Sequence, residues 1–403
     1  MTKLDDNNSG SVQKGSFFEV LAVFFKLGLT SFGGPVAHIG YFRDEFVVKR
    51  KWLAENSYAD LVAMCQFLPG PASSQVGMGL GLLRAGFPGA LAAWLGFTLP
   101  SAVAMALFAL GVTNFNLASH GGWLHGLKVV AVAVVAQAVW GMARSLCPDR
   151  TRATLAIFAA ILVVVWPTAL GQVTAIVLGG LFGWKFLNIT GEQTGERLSI
   201  SLSRRTGAVL LVCFALLLLL LPLVAGSSLN PTVHIFDSFY RTGSLVFGGG
   251  HVVLPLLQAE VVPSGWLNNE LFLAGYGAAQ AVPGPLFTFA AYLGGAMEYG
   301  PSGWGGAMLA LVAVFLPSFL LLAGMLPFWD EFRVKPGAQS ILRGINAAVV
   351  GLLIAALYNP VWTSGILSTT DFAMGLAAFA ALMFWKIPPW LVVVLAAFAG
   401  GML

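Results

Sequence analysis

Two cations stand alone in apolar stretches: Lys26 and Arg241, each six residues ahead of a glycine-rich turn that starts at Phe32 or Phe247. A fixed cation in apolar surroundings is costly, so it either faces an interior polar path or snorkels to the nearest interface. A matched pair facing one place would complement an oxyanion. The turns read Phe32-Gly33-Gly34-Pro35 and Phe247-Gly248-Gly249-Gly250, and each is followed by a second break, Pro69-Gly70-Pro71 or Pro283-Gly284-Pro285. A helix restarting after such a break presents unpaired N–H groups and the positive end of its dipole, which together favour an anion. The restarts are Ala72-Ser73-Ser74-Gln75 and Leu286-Phe287-Thr288, so Ser73, Ser74 and Thr288 add hydroxyls. The plainer reading is that Pro-Gly-Pro is a kink and the hydroxyls cap a helix. Gln66 and Gln280 precede the Pro-Gly-Pro breaks and can donate to an oxyanion or cap a broken helix. Glu45 and Glu260 are candidates for a coupling proton, though a solvated ion pair with Arg43 and the nearby basic cluster is the preferred reading. His38 and His251 follow the glycine turns and titrate near neutral pH when unperturbed, but they are two positions out of register.

These residues recur because the chain is duplicated. Glu45 matches Glu260, Trp52 matches Trp266, Leu99-Pro100-Ser101 matches Leu316-Pro317-Ser318, and Gly126 matches Gly344. The offset between partners drifts only from 214 to 218. Repeated halves whose apolar segments are interrupted by Gly and Pro at corresponding positions mark the binding site of a secondary transporter.

The elements that carry these breaks must be membrane helices. Hydrophobic residues make up 58% of the 403, charged residues 9%, and the mean hydropathy is +0.83; a soluble domain carries about 25% charged residues. Backbone in hydrocarbon must satisfy itself, and these apolar blocks are continuous where barrel strands would alternate, so the fold class is all-α and polytopic. Spans are predicted near 86–111, 123–145, 152–167 and 170–187, then 206–224 alone, then 303–328, 339–358, 370–384 and 388–403. Cys65, Cys147 and Cys213 have no metal-type spacing, five histidines supply no His-Glu-x-x-His set, and no phosphate-cradling loop is present. The sequence therefore predicts no metal, no cofactor and no enzyme or ATP-driven pump. The net charge of +4 is too small and too dispersed for nucleic acid.

Positive charge assigns sides. Lys49-Arg50-Lys51, Arg84, Arg144, Arg150, Arg152, Lys185, Arg197, Arg204, Arg205, Arg333, Lys335, Arg343 and Lys386 are expected on the cytoplasmic side, while loops 112–122, 225–231 and 359–369 lack Lys and Arg. Loop 112–122 is charge-free where its counterpart 329–343 is basic, and the reverse holds for 145–152 and 359–369. The expectation is an inverted-topology repeat with the N-terminus inside and the C-terminus outside. It comprises a cytoplasmic tail at 1–16, with no signal-peptide pattern, and a first repeat at 17–187. A linker at 188–231 with one central helix leads to the second, inverted repeat at 232–403. The same sidedness makes 17–50 and 55–84 either re-entrant hairpins, the simpler solution, or pairs of full spans.

At these motifs the chain resembles the chromate ion transporter family in its long two-domain form, over residues 17 to 403. The likeness rests on Phe32 to Pro35, the acidic and basic stretch after it, Trp52, Gln66 to Pro71, Phe247 to His251 and Gln280 to Pro285. The resemblance implies a bacterial inner-membrane protein that exports chromate and confers resistance. Some members look closer to sulfate carriers, so sulfate or a related oxyanion stays open as substrate, as do an anion channel and a homodimer.

Overall fold

The chain, described here from a computed structural model, is resolved into placed residues at 15–114, 122–187, 202–333 and 335–402. Most of the expected tail, the middle of loop 112–122 and most of the polar linker lie outside the described residues. Each break predicted from Gly and Pro interrupts a helix. Helix α1 (Phe17–Thr30) is capped by the Ser16 hydroxyl, which accepts from the Glu19 amide at 3.1 Å, and stops at Ser31. The chain restarts as α2 (Gly34–Phe42), with Pro35 in its first turn, and runs on through π-type turns at Arg43–Lys49. Helix α3 (Glu55–Phe67) stops at Leu68, and α4 (Ala72–Asn114) begins after Pro71. α4 bends at Ala85 and Gly86, where Gly86 takes φ +67°, just before Pro88.

Helices α5 (Gly122–Leu146), α6 (Arg150–Val165) and α7 (Ala169–Phe186) complete the first half, and α8 (Arg204–Ser227) stands alone. The second half repeats the order. It contains α9 (Pro231–Leu245), a 3-10 turn at Gly250–Val252 leading into α10 (Val253–Val261), α11 (Asn269–Ala279), and a 3-10 turn at Leu286–Thr288 leading into α12 (Phe289–Ala296). Then come α13 (Gly303–Met325), the short α14 (Trp329–Phe332), α15 (Pro336–Ala356), the short α16 (Thr363–Gly365), α17 (Thr369–Met383) and α18 (Pro389–Met402). The described residues hold six helices long and apolar enough to cross a membrane, and the protein is a multi-pass membrane protein. α8 holds an 18-residue stretch of mean hydropathy 3.1 and shows Val209, Val212, Leu219 and Leu223 on its outside, as a helix packed against lipid must.

The broken pairs fold back on themselves. The Gly15 amide donates to the Arg84 carbonyl at 3.0 Å, Arg84 pairs with Glu19 at 3.0 Å, and its guanidinium lies over Trp52 at 5.0 Å. The start of α1, the end of the first pair and the end of the second therefore meet. The second half closes in the same way: Glu298 donates its amide to the Trp266 carbonyl at 3.2 Å, and Trp266 stacks on Tyr299 at 5.1 Å. Re-entrant hairpins and pairs of full spans both begin and end on one side, and these contacts accommodate either.

The halves also exchange helices. α5 packs against α17 and α18, while α15, its counterpart, packs against α6 and α7. Small residues make this close approach: a Cβ on Gly126 would strike the Ala396 carbonyl, and one on Gly344 would strike the Gly179 carbonyl. Membrane helices associate through such small-residue faces because lipid provides no hydrophobic drive between them.

Candidate functional site

The four breaks converge through a reciprocal pair of backbone hydrogen bonds. Gly70, in the first Pro-Gly-Pro, donates to the carbonyl of Val246, which precedes the second glycine turn, at 2.7 Å. Gly284, in the second Pro-Gly-Pro, donates to the carbonyl of Ser31, which precedes the first glycine turn, at 2.9 Å. Ser31 and Val246 are counterparts, as are Gly70 and Gly284, so each half supplies a donor to the other. Both glycines need positive φ, +120° and +93°. Each is overlain by the serine of the other half's Leu-Pro-Ser: Ser318 on Gly70, and Ser101 on Gly284 at 2.9 Å from where a Cβ would stand. Pro35 comes within 3.6 Å of that position on Gly250, which brings the two glycine turns together as well.

Around this crossing lie buried polar side chains. Nε2 of His38 sits 3.2 Å from the Ser31 carbonyl and must therefore be the protonated nitrogen donating to it. In neutral His38, Nδ1 then accepts from the Ser73 hydroxyl, at 3.4 Å. Gln75 donates its amide nitrogen Nε2 to the Pro69 carbonyl at 2.8 Å and so fixes the Pro-Gly-Pro turn. The Ser31, Ser74, Thr98 and Ser318 hydroxyls are buried with no hydrogen-bond partner among the described residues, as is Nε2 of the half-buried Gln280. Buried polar groups are ordinarily satisfied, so this concentration at one place marks a region equipped to receive hydrogen-bonding atoms from outside the fold. Thr288, by contrast, donates to the Pro285 carbonyl at 2.8 Å, and Ser101 to the Thr98 carbonyl at 3.0 Å.

Other predicted site residues stand apart from the crossing. Lys26 is exposed on α1, with no ion partner among the described residues. Arg241 is committed to two carboxylates, Asp237 at 3.0 Å and Glu260 at 2.9 Å, and Ser238 donates to Glu260 at 2.9 Å. Glu45 pairs with Arg50 at 2.7 Å and Lys49 at 3.5 Å, past the apolar part of the first broken pair. Partial burial works against its charge, but Arg50 and Lys49 outweigh that and hold its carboxyl below the usual range. Nδ1 of His251 lies 2.7 Å from the Tyr276 hydroxyl. Gln66 is exposed, and Gly33 and Gly248 form exposed tips with φ +99° and +75° beside the less exposed Gly34 and Gly249. The polar residues not foreseen at the site are Ser31, Gln75, Thr98 and Ser318, with Ser101 beside them as a structural hydroxyl spent on the Thr98 carbonyl. The two serines of Leu-Pro-Ser carried a signal, since they recur in register, but nothing in their spacing tied them to the breaks.

The profile of the chromate transporter family matches residues 18–184 and 233–401. A chromate transport protein of Pseudomonas aeruginosa is 30% identical over 387 residues, covering 92% of this chain and 88% of that protein. A probable chromate transport protein of Synechococcus elongatus is 27% identical over 397 residues, covering 96% and 95%. A chromate transport protein of Cupriavidus metallidurans is 25% identical over 372 residues, covering 88% and 85%. No solved structure matches the chain significantly.

Proposed function

The chain belongs to the chromate transporter family, and we propose that it is a secondary carrier that exports chromate across the bacterial inner membrane and so confers chromate resistance. The observation that carries this reading is the reciprocal crossing, in which Gly70 and Gly284 each bond the other half's broken segment. Irregular backbone at membrane depth is tolerated where protein buries it or where it lines a path, and the start of α4 turns free amides and hydroxyls toward that place. Chromate is a tetrahedral dianion that only accepts hydrogen bonds when fully ionised, so hydroxyls, amides and a helix N-terminus suit it. The relatives' names point to the same ion.

The carrier is read as an inverted repeat of residues 17–187 and 232–403, with the segment 188–231 turning the second copy over, the N-terminus cytoplasmic and the C-terminus periplasmic. Contacts support this. Glu19, Arg84 and Arg50 gather at one end with Asp60, which holds Arg333 at 2.7 Å, and with Arg204, which pairs with Glu331. The other end gathers Lys128 with Glu270, His125 with Asp371, and Asn269 with Ser364. Beyond its bend at Ala85 and Gly86, α4 runs from the first end to Leu110 beside Gly303, where α13 begins its return toward Arg333. Lys26 supplies positive charge along the path, and Arg241 acts together with Asp237 and Glu260. An inside-negative potential favours expulsion of a dianion by about 2.3 kcal/mol per charge per 100 mV. The test is chromate uptake into everted vesicles, with a pH gradient or a potential imposed separately. Saturable uptake that exceeds control vesicles supports the reading; rates equal to vesicles lacking the protein would overturn it.

A further inference from the structure

The two halves are matched in fold but not in chemistry at the crossing. In the first half Ser31, His38, Ser73, Gln75 and Thr98 are all at most 2% exposed. Their counterparts in the duplication are Val246, Val253, Phe287, Phe289 and Phe315, also buried, at 0 to 3%. The same interior positions are thus polar in one half and apolar in the other. The apolar set packs without difficulty, so the fold itself does not call for polar groups there, and leaving buried hydroxyls unpaired is costly. A second comparison sharpens the first. The Ser31, Ser74, Thr98 and Ser318 hydroxyls have no partner among the described residues. Their counterparts are Val246, Thr288, Phe315 and Ser101, of which the two that keep a hydroxyl both spend it on a backbone carbonyl.

We infer that the carrier has one oxyanion site and that it is one-sided. It lies at the N-terminus of α4, is formed by Ser74 and the first-turn amides with the hydroxyl of Ser318 lent by α13, and is bordered by Ser31 and Thr98. The pseudo-equivalent place at the start of α12 is a packed wall of Phe287, Phe289 and Phe315. The continuous helical stretch of α4 before its bend, residues 72–84, presents its positive N-terminal end here, and Ser74 and Ser318, at 3% and 0% exposure, are the unpaired hydroxyls beside its first turn and the Gly70 turn. Gln75 and His38 are positioning residues: the first holds the Pro69 carbonyl, and the second joins the Ser31 carbonyl to Ser73 and so links the two crossings. The ligand class is a tetrahedral dianion that accepts from hydroxyls and amides, with no side-chain cation in its first contacts. This inference rests on the oxyanion-carrier reading above and narrows it to one half.

The experiment compares Ser74→Ala and Ser318→Ala with their counterparts Thr288→Ala and Ser101→Ala. Two readouts are used: chromate KM in everted vesicles, and the thermal shift that molybdate, against chloride, gives the purified full-length protein. Ser74→Ala and Ser318→Ala should raise KM about ten-fold or more, as expected for losing a hydrogen bond to a charged group, and abolish the molybdate shift. Thr288→Ala and Ser101→Ala should change KM less than about two-fold while lowering the ligand-free midpoint, since their hydroxyls serve the fold. Ser74→Thr and Ser318→Thr, which keep the hydroxyl, should retain the shift, and this separates loss of a donor from misfolding. Equal losses at both sets, or an intact shift in Ser74→Ala and Ser318→Ala, would overturn the one-sided site. If wild-type vesicles carry no chromate, the transport reading fails, yet a molybdate shift removed by Ser74→Ala still supports the site; no shift in the wild type overturns it.

Discussion

Replacing Gly70 by alanine tests the crossing at its tightest point. Gly70 has φ +120°, and a Cβ there would overlap the Ser318 hydroxyl and stand 3.0 Å from Nε2 of Gln75 and 3.2 Å from Cβ of Ser318. Three costs follow. A non-glycine residue at such a φ is strained by about 1–3 kcal/mol. Overpacking adds about 1–3 kcal/mol. If the turn shifts to relieve the clash, the bond from the Gly70 amide to the Val246 carbonyl weakens, losing about 0.5–1.5 kcal/mol. Together they amount to about 2.5–7.5 kcal/mol, a large part of the about 5–15 kcal/mol that holds a typical fold. The purified variant should lose about 3–9 °C in thermal midpoint, at about 2.1 cal/mol/K of unfolding entropy per residue over 403 residues. Adding Ser318→Ala removes the hydroxyl that the new methyl strikes. It should recover the packing share and leave the φ share, a coupling between residues 248 positions apart in sequence. A Gly70→Ala midpoint equal to wild type, or no recovery in the double variant, would refute the crossing as drawn.

Four further outcomes follow from the same contacts. Lys26→Ala and Arg241→Ala should each lower chromate export in cells while the protein still inserts; Lys26→Arg should be partly tolerated because it keeps charge and changes geometry. Glu45→Gln should cost about 0.2–1 kcal/mol of stability at neutral pH and leave the pH profile of transport unchanged. Its carboxyl is held below the usual range, so its contribution is present above the ordinary carboxylate pKa and fades as pH falls through the folded value, closing the gap between variant and wild type in acid. Gly344→Leu should prevent α15 from seating on α7 and abolish folded protein by size-exclusion, whereas Gly141→Leu, at a position with nothing within 4 Å, should behave as wild type. A reporter in loop 112–122 should be periplasmic and one in 329–343 cytoplasmic; both on one side would contradict the inversion.

The membrane helices were legible because hydrocarbon leaves few alternatives: the span expected at 123–145 is α5, Gly122–Leu146, and that expected at 206–224 lies within α8, Arg204–Ser227. The breaks were legible for a related reason, since only Gly accepts the φ of Gly33, Gly70, Gly248 and Gly284 without strain. The pairing of breaks across halves was not. It depends on which carbonyl meets which amide, and Val246 and Ser31 give no local sign of that role. The exchange of α5 and α15 was hidden too, because a glycine face such as Gly122 and Gly126 says that something packs closely but not what. Arg241 had seemed a lone cation because Asp237 lies one helical turn before it and Glu260 on another helix; a four-residue spacing was visible, the third member was not. The polar asymmetry at the crossing could have been read by laying Ser31, His38, Ser73, Gln75 and Thr98 against their counterparts, once the offset was known.

The most direct measurement is to locate the ion. A structure of the full-length protein with molybdate, a tetrahedral dianion with a heavy centre, should place that centre between the start of α4 and Ser318, within about 4 Å of the Ser74 and Ser318 hydroxyl oxygens. Density there would support transport through the crossing of the breaks. Density confined to Lys26, to the Arg241 cluster or to the start of α12, with none at Ser74, would contradict the account.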